Sequence, residues 1–431
     1  MRKHLLFAAS IAIGPVFFGS APAHAETTIT KPADGWEVYT SGRVGAFVEV
    51  LNGDSAPITS ATAGHTVTSE GIVVQSDPGA NGPNSGHATA SRVRSGFLGN
   101  ILTLGVRREL TPATTVSGQI SLWAAAEAIN ERTYLLNQTD MREGFLKLEG
   151  PAGTLKVGRQ LSLFSRGGTE IDFLYGHQFG VGSPVGFNYQ GPSGGHIGYG
   201  VLGAVFAAGV VYSTPPFAGL QLNAGYFDPG SLVGQHWGRT KAGRFESEVT
   251  YDANFGNSGK VHVFADGAVQ KLYAVETADA VSVYGASAGA RLEVGPFHIG
   301  VAGHSGKGLG IGYFLDWSDS MLNGNTYQLR NFDGAYVQTQ LALTKFDFNV
   351  GWGVTRLHQL TADIDPKYFL PGATGPATSY LKSQMGISAV VVYHISPNLH
   401  AAVDYFRSDQ KWWLGESQVL NSYNVGMTLT W

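Results

Sequence analysis

What most constrains this chain is the way it is punctuated. From residue 36 onward, short segments of period-two alternation follow one another, and the connections between them are long and short in turn. Alternation of this kind is the strand signal. It predicts strands at 36–50, 92–108, 115–126, 141–149, 154–160, 205–213, 219–228, 243–254, 260–270, 281–294, 297–304, 333–344, 346–356, 380–393, 399–406 and 421–431. The long connections are 51–91, 127–140, 161–204, 229–242, 271–280, 305–332, 357–379 and 407–420. The short ones include Gly150–Gly153, Phe255–Gly259, Gly295-Pro296 and His394–Asn398. A soluble sandwich has no reason to sort its loops this way, whereas a transmembrane barrel carries short turns on one rim and long loops on the other. The expected fold is all-β, a transmembrane antiparallel β-barrel of about sixteen strands, the even number that single-chain barrels require.

The side chains agree with an inverted barrel. In Trp36–Val50, Val38, Gly42, Val44, Ala46, Val48 and Val50 share one parity, and Arg43, Phe47 and Glu49 share the other. In 260–270, Val261, Val263, Ala265 and Val269 alternate with Lys260, His262, Asp266 and Gln270. Residues 243–254 put Arg244, Glu246, Glu248 and Asp252 on one face. Mixed charge at every second residue suits a water-filled lumen, with the apolar face turned to lipid. Phe217, Phe255, Phe297, Phe346 and Tyr393 flank short turns, as one interfacial aromatic girdle would. The chain ends on a strand in which Tyr423, Val425, Met427, Leu429 and Trp431 share a face. Its predicted partner is the first strand, because lipid tolerates no open sheet edge.

The N-terminus reads as an export signal. Arg2-Lys3-His4 precede an apolar run, Leu5–Phe18, and Ala23-His24-Ala25 forms an A-x-A cleavage site. Residues 1–25 are thus the expected signal peptide and 26–431 a single barrel domain. Later residues contain no apolar run long enough for a membrane-spanning helix. With 0 cysteines there is no disulfide framework. The 28 basic and 32 acidic residues give −4; without Arg2 and Lys3 the balance is −6, which argues against a nucleic-acid partner.

One segment breaks the pattern. Residues 161–204 are Gly-rich, show little periodicity and carry Glu170 and Asp172. A structureless stretch this long is usually functional or disordered, and here it is expected to fold into the barrel lumen.

At this point the mature chain resembles the general, trimeric, sixteen-stranded porins of Gram-negative outer membranes. The most specific match is Met141-Arg142-Glu143-Gly144-Phe145-Leu146-Lys147-Leu148-Glu149-Gly150 followed by Gly153-Thr154-Leu155-Lys156-Val157-Gly158-Arg159-Gln160, the hairpin that leads into the third loop. Arg94-Ser95-Gly96-Phe97-Leu98-Gly99, Tyr393-His394-Ile395-Ser396-Pro397 and the terminal aromatic strand add to it. The resemblance implies a homotrimer in outer-membrane lipid that passes small hydrophilic solutes and ions without a cofactor. It also implies a third loop bearing carboxylates that faces arginines across a constriction, and a terminal aromatic used as an assembly signal. The pore-constriction candidates are Arg94, Arg159, Glu170 and Asp172; the closure and assembly candidates are Tyr423 and Trp431. A third wall arginine has no counterpart, since the matching region near Val205 is apolar. Strict alternation sets Arg159 with Leu155 and Val157, so an inward Arg159 requires a bulge or the strand's end. Residues 127–140 are a candidate latch between subunits.

Other patterns read more plainly. Gly285-Ala286-Ser287-Ala288-Gly289 has the nucleophile-elbow spacing but lies within a predicted strand, where small residues serve close packing. A hydrolase using Ser287 and a histidine, or a structural or adhesive barrel with a blocked lumen, are the alternatives. Gly308–Gly312 lacks the βαβ context of a dinucleotide loop. His177 and His196 are too widely spaced to suggest a metal site.

Overall fold

The computed structural model describes residues 26–32, 34–54, 65–67, 88–95, 99–124, 139–173, 195–229, 242–256, 258–273, 280–311, 322–323, 328–369 and 375–431. The expected signal peptide, His177, most of the 127–140 latch and Gly312 lie outside the described residues. Its strands are β1 (Thr27–Thr30), β2 (Glu37–Gly53), β3 (Ala88–Arg94), β4 (Asn100–Thr111), β5 (Thr114–Ala124), β6 (Thr139–Gly150), β7 (Gly153–Leu161), β8 (Phe206–Ser213) and β9 (Leu220–Phe227). They continue as β10 (Arg244–Phe255), β11 (Gly259–Tyr273), β12 (Ala280–Val294), β13 (Phe297–Lys307), β14 (Asn331–Ala342), β15 (Phe346–Leu357), β16 (Leu381–His394), β17 (Leu399–Trp412) and β18 (Ser417–Thr430).

These form one closed antiparallel barrel of sixteen staves. The segment count is higher because two staves are composite. β3 and β4 both pair with β2 and make one interrupted stave, read from sequence as a single strand. At the interruption Gly99 takes φ 68°, and the Asn100 side chain accepts the Gly45 amide at 2.8 Å, supplying the ladder bond that the broken strand cannot. β1 pairs with Val38–Thr40 and extends the line of β18 along β2. The connection expected at 407–420 proves to be a tight turn, because β17 and β18 run on to Trp412 and from Ser417.

The inversion is complete on the strands that define it. Val44, Val48 and Val50 are exposed, while Arg43, Phe47 and Glu49 between them are buried. On β10, Phe245, Val249 and Tyr251 face out and Arg244, Glu246 and Glu248 face in. A charged side chain at the bilayer midplane costs about 2–4 kcal/mol, so one parity must be apolar throughout the span. The girdle residues Phe217, Phe255, Phe297, Phe346 and Tyr393 are all exposed, with the Phe346 and Tyr393 rings in a tilted contact, centroids 4.9 Å apart.

Closure joins β18 to β2 from Arg43 opposite Thr430 to Gly53 opposite Leu420. Trp431 adds two backbone bonds, donating to Gly42 O at 3.1 Å and accepting from Gly42 N at 2.9 Å. Gly42 is required there, since a Cβ would strike the Trp431 ring. Tyr423 sits outward, its ring 5.2 Å from Tyr405.

Candidate functional site

The site is built from the base of the connection between β7 and β8. Ser162 N donates to Val205 O at 2.8 Å and Val205 N to the Ser162 hydroxyl at 3.2 Å, pinning the two limbs together. From there the first limb turns onto β10 and β11. Glu246 Oε2 accepts the amides of Leu163 (2.6 Å) and Phe164 (2.8 Å). Ser165 adopts a left-handed φ of 61° and opens a single helical turn, α1 (Arg166–Glu170). Arg166 forms a two-pronged ion pair with Glu248 and lies 3.9 Å from Glu170. The inner-face acids of β10 thus anchor the loop.

Both limbs then press on β12–β17. Tyr336 Oη donates to Gly168 O and Gln338 Nε2 to Ile171 O, each at 2.9 Å. His196 stacks on Tyr336 at 4.9 Å and 8°. Gly200 N donates to Thr355 Oγ1 at 3.0 Å, and Tyr199 Oη bonds the Ser408 hydroxyl at 2.8 Å. The wall receives these groups through missing side chains. A Cβ on Gly351 would lie 2.6 Å from the His196 ring, and one on Gly353 would overlap the Tyr199 carbonyl outright. Glycine here is a matter of space.

The predicted loop carboxylates part company. Glu170 keeps 38% of its side chain open to water. Protein nonetheless crowds it: burial raises its carboxyl above the ordinary range, Arg166 opposing and Glu248 adding to the shift. Burial works against the charge of Arg166, but Glu248 and Glu170 outweigh it and hold the guanidinium above its usual value. Asp172, in contrast, is 1% exposed. Its Oδ2 accepts both His196 N at 2.7 Å and His196 Nδ1 at 3.2 Å. The expectation of Asp172 as a pore-lining charge is therefore corrected: it clasps the two limbs, because two donors of His196 converge on it.

The wall arginines also divide. Arg94 is paired in register with Phe47, a buried inner-face residue; its own side chain lies outside the described residues. Arg159 has register partners Gly144 and exposed Ala208, on the outward row of Leu155 and Val157. Its Nε donates to Arg142 O at 3.2 Å. No register shift intervenes in β7, so the inward placement expected for Arg159 gives way to the outer face. Two inner-face cations went unnoticed in the sequence. Lys156 Nζ lies 3.7 Å from the Phe145 ring and is an electrostatic neighbour of Glu143 and Glu170. Alternation with Leu155 and Val157 could have found it. Arg142 lies 4.6 Å over Trp123 and 6.0 Å from Phe206. It is turned inward by a register shift in β6 that no alternation reveals.

The serine of the elbow-like pattern is otherwise engaged. Ser287 donates to Asp266 Oδ1 at 2.6 Å, and its cross-strand neighbour His304 bonds Gly200 O through Nδ1 at 3.2 Å. In a hydrolytic triad the histidine bridges serine and acid; here serine meets the acid directly.

The family pattern described as Gram-negative porin matches residues 8–411. No curated protein matches the chain. Among solved structures it is similar to the outer membrane channel DcaP of Acinetobacter baumannii, with 14% identity and a TM-score of 0.65 over 94% of this chain and 100% of that one. The anion-selective porin from Comamonas acidovorans follows with 13% identity and 0.59, over 92% and 100%. Salmonella typhi OmpF in complex with daunomycin matches at 13% and 0.52, over 94% and 100%.

Proposed function

Because the chain belongs to the Gram-negative porins, we propose that it narrows its channel with the 161–204 loop and reads solute charge there through Glu170. It is an outer-membrane channel for passive diffusion of solutes. The observation that supports the loop's role is the set of bonds tying Gly168, Ile171, Tyr199 and Gly200 to inner-face residues of β14, β15 and β17. A loop bonded to that face stands in the path of solutes. Glu170, partly open to water beside Arg166, opposes the wall cations Lys156 and Arg142, with Arg94 a further candidate by register. Opposed charges at a narrow point bias which small hydrophilic solutes and ions cross.

The working unit on this reading is a homotrimer in outer-membrane lipid, exported by a signal cleaved after Ala25. Supporting the assembly is a structural neighbour, OmpT of Vibrio cholerae, solved in a trimer form. Trp431 serves as the recognition element for insertion as well as the last rung of closure.

Single-channel recording in a salt gradient tests the charge reading. Glu170→Gln should move the reversal potential toward anions, and Asp172→Asn should leave it in place. One unit charge about 4 Å from a passing ion in water is worth roughly 1 kcal/mol, a few-fold change in local concentration. An unchanged reversal potential for Glu170→Gln at low salt would remove Glu170 from the constriction.

A further inference from the structure

At the short-turn rim, away from the loop, the β16–β17 hairpin sets two histidines directly opposite each other on the inner face. His394 ends β16, His400 is the second residue of β17, and the register pairs them across the turn. Their Nδ1 atoms face each other at 2.8 Å, with rings at 88° and centroids 4.9 Å apart. Both rings are held by further partners. His394 Nε2 lies 3.1 Å from Asp347 Oδ2 on the neighbouring β15, and His400 is hydrogen-bonded to the Pro397 carbonyl. His394 keeps 26% of its side chain open to water, so the pair is reachable.

Carboxylates and backbone carbonyls orient metal-binding imidazoles in this way. Two imidazole nitrogens on one tetrahedral ion, each about 2.0–2.1 Å from it, stand roughly 3.3 Å apart. The observed 2.8 Å contact opens to that separation by a small rotation of either ring. We propose that His394 and His400 form a two-histidine site for a borderline divalent ion (Zn²⁺, Ni²⁺ or Cu²⁺) at this mouth of the channel, with Asp347 as the positioning residue for His394. Imidazole ligands favour these ions over Mg²⁺ or Ca²⁺. Among the described residues no group of three or more His, Cys, Asp or Glu converges as a metal site. Water therefore completes the coordination, and binding is weaker than at a closed structural zinc site. A bound dication makes the mouth less attractive to cations within about 10 Å at 0.1 M salt.

The purified full-length barrel is titrated with NiCl₂ or ZnCl₂ by calorimetry. The expected result is one ion per chain, with affinity reduced at least tenfold in His394→Gln and in His400→Gln. Asp347→Asn should weaken it by about tenfold, the low end for a lost orienting carboxylate. Cu²⁺ electron paramagnetic resonance on the unaltered protein should show coupling to two nitrogens and needs no variant to assemble. In a salt gradient, Zn²⁺ should shift the reversal potential toward anions in the parent protein and not in His400→Gln. Affinity unchanged in both histidine variants, or a Cu²⁺ spectrum without nitrogen coupling, overturns the site. Neither of those results bears on the loop at Glu170.

Discussion

Two regions of the inner wall are unlike. Across β12–β17 one cross-strand row reads Gly289, Ala302, Tyr336, Gly353, Gly386, Ser408, small except for the tyrosine on which His196 stacks. Across β5–β7 the inner face carries Gln119, Trp123, Arg142, Glu143, Phe145 and Lys156, which are large, charged or aromatic. The loop is bonded to the first region and to the acids of β10. On the proposed reading solutes run along the second, with Glu170 on the loop side of the path. On that reading the side chains that seat the loop and those that line the path belong to different strands of one inner wall.

Filling the small-residue row should have the largest effect. Gly353→Leu drives a side chain into the Tyr199 carbonyl, and Gly386→Leu drives one into the Phe406 ring, on which Tyr199 packs edge-on, and then against Tyr199 itself. Either should unseat the loop and raise single-channel conductance several-fold while the barrel remains heat-modifiable on gels. Unchanged conductance would mean that the loop does not obstruct the path.

A smaller effect is expected at the clasp. Asp172→Ala leaves the buried His196 amide and ring without their acceptor, at about 1–3 kcal/mol. Hydrogen exchange across 196–201 should quicken roughly tenfold or more, while exchange in β5–β7 stays as it was. Equal quickening in both regions would show that the loop is not an independently opening unit.

Lys156→Gln probes the β5–β7 region. It should shift the reversal potential toward cations, opposite to Glu170→Gln and by a similar few-fold permeability ratio. A shift of the same sign in both variants would dissolve the idea of facing charges.

The smallest effect is with pH. Because burial raises the Glu170 carboxyl, it takes up its proton at a higher pH than a free glutamate. As pH falls the loop loses this negative charge first, so cation preference should begin to decline above the usual glutamate range. In Glu170→Gln that early step should vanish from a reversal-potential titration. A parent titration that declines only near ordinary carboxylate values would return Glu170 to the category of solvated loop charge.

How far the sequence carried this reading depends on the range of each interaction. Strand identity and facing were legible because lipid imposes one rule on every second residue, as at Val44, Val48 and Val50. Lys156 was legible for the same reason, although its value went unnoticed. Arg142 and the broken stave at Gly99 were not, since a bulge and a left-handed glycine shift the parity that alternation relies on. The inner-face acids Glu246 and Glu248 were visible as a row, yet nothing local says that they hold a loop from 82 or 83 residues away rather than line water.

The closed, inverted barrel is written in the chain: period two, sorted connections and an aromatic final strand admit few other solutions in a bilayer. The fate of two carboxylates separated by a single residue is set only by packing. Glu170 and Asp172 are alike in charge and setting along the chain. One is left beside water and Arg166, and the other is sealed against His196, a residue 24 positions away. Burial and pairing are set by which distant groups arrive, and that information lies in the packing of the loop against the wall.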